Sequence, residues 1–161
     1  MAEKDDLLLF DEGRVSHVIF QLARAHRGYA ATLLRQLGLH PGQELILMHL
    51  FARDAQTQSE LLASIGLDHS TLSKALRRMQ EAGLLTREPA THDRRVLVVR
   101  LTHQGQAMRG PIKDMWHTLE ATTLQNLSPQ QAQALTDSAQ AVIDAINGQT
   151  HLPDPTRDEP S

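Results

Sequence analysis

From Thr57 to Leu101 the chain reads TQSELLASIGLDHSTLSKALRRMQEAGLLTREPATHDRRVLVVRL, and this stretch decides the fold. Thr57, Gln58, Ser59 and Glu60 spell a capping box, in which the threonine hydroxyl and the glutamate side chain satisfy backbone donors at a helix start. Leu61, Leu62 and Ile65 are the buried side of that helix. Gly66 and Leu67 make a tight connection to Asp68, a good N-cap for a second helix whose stripe of Leu72, Ala75, Leu76 and Met79 ends at Gly83. Two short helices joined by a glycine-containing turn form a helix-turn-helix. Leu84 to Glu88 and Val96 to Leu101 are the only stretches with strand character, and the polar loop from Pro89 to Arg95 joins them in a hairpin. The expected fold class is therefore mainly α with a small β-hairpin wing, a winged helix-turn-helix.

Outward from this stretch the chain reads as helix. Val15, Val18, Leu22, Tyr29 and Leu33 recur at helical spacings up to Gly38, which predicts a long amphipathic helix with a glycine stop. Pro41 suits a first helical position, and Leu45, Met48, Phe51 and Ala52 are the expected apolar stripe of the next, shorter helix. Beyond the hairpin, Thr102 can cap a helix carrying Met108, Ile112, Met115, Trp116 and Leu119, which Gly110 and Pro111 should kink or delay. Ser128, Pro129 and Gln131 restart a last helix with Leu135, Val142, Ile143 and Ile146, stopping at Asn147 and Gly148.

A formal charge of -3 looks wrong for a nucleic-acid binder until it is divided along the chain. Between His69 and Arg109 eight basic side chains face three acidic ones, a local surplus of five, while elsewhere eight basic residues face sixteen acidic ones. Exposed charges act over about 10 Å at moderate salt, so a basic patch on an acidic body can still steer DNA to one face. The stripe of the second helix leaves two outward rows, His69, Ser73 and Arg77 beside Ser70, Lys74 and Arg78. Such a helix fits the major groove, where His69, Ser70, Thr71 and Lys74 near its N-terminus are the expected base readers and the arginines meet phosphates. Arg94 and Arg95 stand at the tip of a thin hairpin suited to the minor groove, with Asp93 beside them able to hold one arginine in place.

Leu67 to Gly83, followed by Leu84, Leu85, Asp93, Arg94, Arg95 and then Leu101, Thr102, His103, Gln104 and Gly105, resembles the MarR family of bacterial regulators. The helical order over residues 12–147 is consistent with that resemblance as one domain, preceded by a polar leader, 1–11, and followed by a tail, 148–161, whose Pro153, Pro155 and Pro160 read as disorder. The resemblance implies dimerisation helices over 12–38 and 106–147 around a DNA-binding lobe at 41–105, and a homodimer that represses from a pseudo-palindromic operator. The family's wing arginine corresponds to Arg94 or Arg95, and its recognition contacts fall on Ser70, Thr71 and Lys74. Many members respond to small aromatic acids or phenols in a cleft between dimer helices and lobe. Arg14, His17, His26, His49 and Arg53 are the residues here with a cation or donor to offer such a carboxylate.

Composition excludes several other functions. With no cysteine there is no disulfide framework, thiolate metal site or thiol-based oxidant sensor. Among nine histidines none has the His-x-x-x-His spacing of a helical metal pair, and His40 with Glu44 is the nearest approach, so neither metal nor cofactor is expected. No phosphate loop or nucleophile elbow argues for an enzyme. No apolar run nears the roughly 20 residues needed to cross a bilayer, so a cytoplasmic protein with no membrane partner is expected. The competing reading is a winged helix serving as a protein-interaction module for an acidic partner.

Overall fold

The computed structural model describes residues 13–91 and 93–149. The polar leader, His92 and the tail from residue 150 lie outside the described residues. A first compact unit ends at Glu120 and a second begins at Ala121. The elements run α1 (Arg14–Gln36), α2 (Gln43–Ala52), β1 (Gln56–Thr57), α3 (Gln58–Ile65), α4 (His69–Glu81), β2 (Leu85–Pro89), β3 (Leu97–Leu101), α5 (His103–Ala107), α6 (Arg109–Leu124) and α7 (Pro129–Gln149).

Helix α1 stops where glycine was expected to stop it. The Leu39 N–H reaches back to the Leu34 carbonyl at 2.9 Å and the Gly38 N–H to that of Arg35 at 3.1 Å, which satisfies two otherwise orphaned acceptors. Only Leu33 and Leu34 of α1 are buried, whereas Val15 is 71% exposed and Val18 53%. Its predicted stripe therefore exists but is covered over only a small part by the described residues.

Helix α2 departs from expectation in two ways. Pro41 lies in the turn before it, because the side chains of Gln43 and Glu44 accept the His40 and Gly42 N–H groups and set the start at Gln43. Its buried face is Ile46, Leu47 and Leu50, while Leu45 and Met48 of the predicted stripe are exposed. A helix apolar on nearly every side carries no periodic signal, so neighbours choose the face that is buried.

The helix-turn-helix forms as read. Thr57 accepts from the Glu60 N–H at 3.2 Å and Glu60 accepts from the Thr57 N–H at 2.7 Å, which completes the capping box. Gly66 turns the chain at φ +71°, a left-handed conformation that costs glycine little. On α4, Leu72, Leu76 and Met79 are fully buried, each side chain contributing about 1.5–3 kcal/mol of burial.

The hairpin gains a third strand that composition did not suggest. β3 pairs antiparallel with β2, Leu85 opposite Leu101 and Arg87 opposite Val99, and on its other edge with β1, Gln56 opposite Val99. Gln56 is buried there, its side-chain nitrogen donating to the carbonyls of His49 and Arg53. Below the hairpin, Thr102 donates to the Gly83 carbonyl at 2.6 Å and accepts from the Gly105 N–H at 3.0 Å, capping α5. A Cβ on Gly105 would lie 2.0 Å from the Leu84 carbonyl oxygen, so only glycine fits this approach. The helix then breaks at Met108, ahead of Gly110 and Pro111, and α6 buries Ile112, Met115 and Leu119. In the second unit α7 opens on reciprocal hydrogen bonds between Ser128 and Gln131 and continues past Asn147 and Gly148 to Gln149.

Candidate nucleic-acid interface

The buried stripe of α4 clamps the helix to the core, and the rest of its surface is presented outward. His69, Ser70, Thr71, Lys74, Arg77 and Arg78 are exposed and Ser73 is half-buried. The helix start is held by Asp68, which accepts from the Thr71 N–H at 2.9 Å and from the Thr71 hydroxyl at 2.5 Å. Hydrogen bonds from the Thr71 hydroxyl, then from its N–H, hold the Asp68 carboxyl well below the usual carboxylate range, with Ser70 adding to the effect. Thr71 thus spends its donor on the cap and keeps only acceptor capacity for a ligand.

Two clefts separate the outward rows. One, of about 370 Å³, is lined by Ser59, His69, Ser73, Arg87, Arg95 and Leu97, between α3, α4 and the sheet. The other, about 170 Å³, is lined by His40, Gln43, Thr71, Lys74 and Arg78, between α4 and the turn before α2. Ser70 and Arg77 line neither and stand on the crest between them. The helix therefore offers a polar crest with cations on both flanks, the arrangement needed to meet base edges in a groove and phosphates on its two walls.

The wing differs from expectation in one contact. Asp93 accepts from the backbone N–H of Arg95 at 2.9 Å, and its carbonyl accepts from the Val96 N–H at 3.0 Å. The carboxylate shapes the turn instead of holding an arginine side chain, as Asp does in turns. Arg94 and Arg95 remain exposed.

Sequence reasoning passed over Arg87. It stands opposite Val99, so its side chain leaves the sheet on the helix-packed face, where its Nε donates to Oε1 of Gln80 on α4 at 2.6 Å. The only signal available was an arginine at every-other-residue spacing from buried Leu85, on a strand too short for that to be distinctive.

A second cleft type lies away from α4. About 420 Å³ in volume, it is lined by Met48, Phe51, Arg109, Lys113, Trp116 and His117. Arg109 donates to the Phe51 carbonyl at 2.8 Å and its guanidinium sits 4.8 Å from the Phe51 ring centre. None of Arg14, His17, His49 and Arg53 lines this cleft. Arg14 and His17 lie in the first turn of α1, and His49 is half-buried on α2. Arg53 pairs with Glu60 at 2.8 Å, both largely exposed, so water screens the contact and it adds little to stability. The Thr57 N–H first, then the Thr57 hydroxyl and Arg53, hold Glu60 down to about 2. Among the described residues no three metal-capable side chains cluster, and Glu44 of the His40 pair is turned onto the Gly42 N–H. No helix among them is long and apolar enough to cross a membrane.

Three-stranded wing, paired helices and basic crest define a winged helix-turn-helix protein. The MarR family model matches residues 30–96, and the chain is similar to the transcriptional regulators of that family. It is 26% identical over 108 residues to the organic hydroperoxide resistance transcriptional regulator of Bacillus subtilis, covering 67% of this chain and 74% of that one. The PcaV transcriptional regulator of Streptomyces coelicolor has the same fold, with a TM-score of 0.76 at 24% identity over 83% of this chain and 97% of that one. So does a cysteine-to-serine mutant of MarR from E. coli, solved in complex with operator DNA, with a TM-score of 0.73 at 22% identity over 83% and 97%. These relatives are regulators of transcription, not enzymes.

Proposed function

We propose that the chain is a sequence-specific repressor that binds a pseudo-palindromic operator as a homodimer, with α4 in the major groove and the wing in the minor groove. The observation that carries this reading is the crest of α4. Ser70, Lys74, Arg77 and Arg78 are exposed on a helix whose opposite stripe is fully buried, beside a wing that exposes Arg94 and Arg95. Base reading falls to His69, Ser70, Ser73 and Lys74, with Thr71 restricted to accepting.

Two copies are needed because one module supplies few base contacts, whereas a two-fold dimer sets two recognition helices about one helical turn apart. The exposed Val15, Val18, Ile19 and Phe20 of α1, and Ile143 and Ile146 of α7, supply apolar surface for that assembly. The cleft of Phe51, Trp116, Arg109, Lys113 and His117 suits a small aromatic acid or phenol, since apolar walls take the ring and cations take the charge. This moves the effector site from Arg14, His17, His49 and Arg53 to the α2 and α6 side chains.

The test is selection of bound sequences from random duplex DNA, with the wild type and Arg94→Ala, repeated across salt. A two-fold symmetric motif bound more weakly by Arg94→Ala is the expected result. Enrichment of no sequence at any salt would favour the protein-interaction module instead.

A further inference from the structure

We infer that the cleft between α4 and the hairpin is a seat for a DNA phosphodiester, with Arg87 its fixed cation and Gln80 the residue that positions it, an inference that rests on the DNA-binding reading above. Among the described residues, Arg87 is the cation of the basic surplus that is immobilised beside α4. Its Nε is committed to Oε1 of Gln80 at 2.6 Å, while its terminal amino groups donate to no other described residue. Held by one edge, a guanidinium presents the opposite fork in a set direction, and that fork matches two phosphate oxygens.

The surroundings fit an anion. Arg95 of the wing lines the same cleft and supplies a second cation, His69 and Ser73 border it on the α4 side, and no carboxylate lines it. The cleft opens between the element assigned to the major groove and the element assigned to the minor groove, so the strand that separates the two grooves must pass it. Arg87 therefore contributes affinity and register, not base discrimination. Gln80 does not touch DNA. It acts by fixing the arginine, which a flexible side chain would otherwise have to order on binding.

The experiment is a salt titration of the full chain on the selected operator, with wild type, Arg87→Ala, Arg87→Lys, Gln80→Leu and the double variant Gln80→Leu with Arg87→Ala, each checked for folding by thermal melting. Arg87→Ala is expected to weaken binding on the order of tenfold, equally for all sequences, and to lower the slope of log affinity against log salt by about 0.9 per protomer. Gln80→Leu should weaken binding less and keep the wild-type slope, because the charge remains. In the Arg87→Ala background Gln80→Leu should cost nothing further, which a merely structural glutamine would not show. If Arg87→Ala does not fold, Arg87→Lys serves in its place, with slope kept and the Gln80 effect lost. An unchanged slope for a folded Arg87→Ala beside a binding wild type overturns the phosphate seat alone. Failure of the wild type to enrich any sequence removes the reading on which it stands.

Discussion

Helices α1 and α4 are both amphipathic, yet they use their apolar stripes in opposite ways. Leu72, Leu76 and Met79 of α4 are buried completely within one chain, so the helix is held rigidly and its polar crest is displayed. Val15, Val18, Ile19 and Phe20 of α1 stay exposed, and only its last turns, at Leu33 and Leu34, join the core. Periodicity reports that a face must be covered, not what covers it. In α4 the cover is α3, the sheet and the rest of the buried core; in α1 the proposed cover is a second copy.

The largest effect that would break this contrast is Leu76→Ala, which should cost about 2–5 kcal/mol of folding stability at any protein concentration, measured by urea denaturation. A loss below that range, or one that depended on concentration, would mean that α4 is not held by its own chain. Val18→Asp on α1 should do the reverse, leaving the lobe folded while raising the dimer dissociation constant roughly tenfold or more in sedimentation. An unchanged constant would remove Val18 from the interface. Lys74→Ala, on the outward face of α4, should leave stability alone, weaken operator binding by about 1–3 kcal/mol and relax the preferred sequence. Weaker binding with unaltered preference would reassign Lys74 to the backbone.

The smallest effect is one of pH. Asp68 and Glu60, the two capping carboxylates, both titrate below their unfolded values, Glu60 at about 2 against an ordinary 4.5. A group with a depressed folded pKa stabilises the fold above its unfolded value and loses that contribution as pH falls through the folded one. Stability should therefore begin to drop below about pH 4.5 and keep dropping toward pH 2. The Asp68→Asn variant, which keeps a capping oxygen without the charge, should lose the Asp68 part of that slope. An identical acid limb in the variant would show that Asp68 is not responsible.

Legibility followed the range of the interaction. Capping at Thr57, Asp68 and Thr102 was readable because cap and capped N–H lie within three residues. The stripe of α4 was readable because its other face is polar, which leaves one solution for burial. The face of α2 was not, since Leu45, Met48 and Phe51 compete equally with Ile46, Leu47 and Leu50 until the neighbours are placed. Strand β1 is two residues long and exists only through its pairing with Val98 and Val99, about forty residues away.

The candidate site divides in the same manner. Residues on α4 and in the wing were named from sequence, because a helix sets its outward rows by spacing alone and a hairpin exposes its tip. The Gln80 to Arg87 bond, the cleft it borders, and the aromatic cleft of Phe51 and Trp116 were not. By itself the sequence determined the helix starts and stops, the helix-turn-helix, the hairpin and the polar character of α4. Only the tertiary structure decided which face of α2 is buried, which arginine is held still and which apolar stripe is left for a partner. Local hydrogen bonds and side-chain period act within a few residues, whereas burial and cleft geometry depend on segments that folding alone brings together.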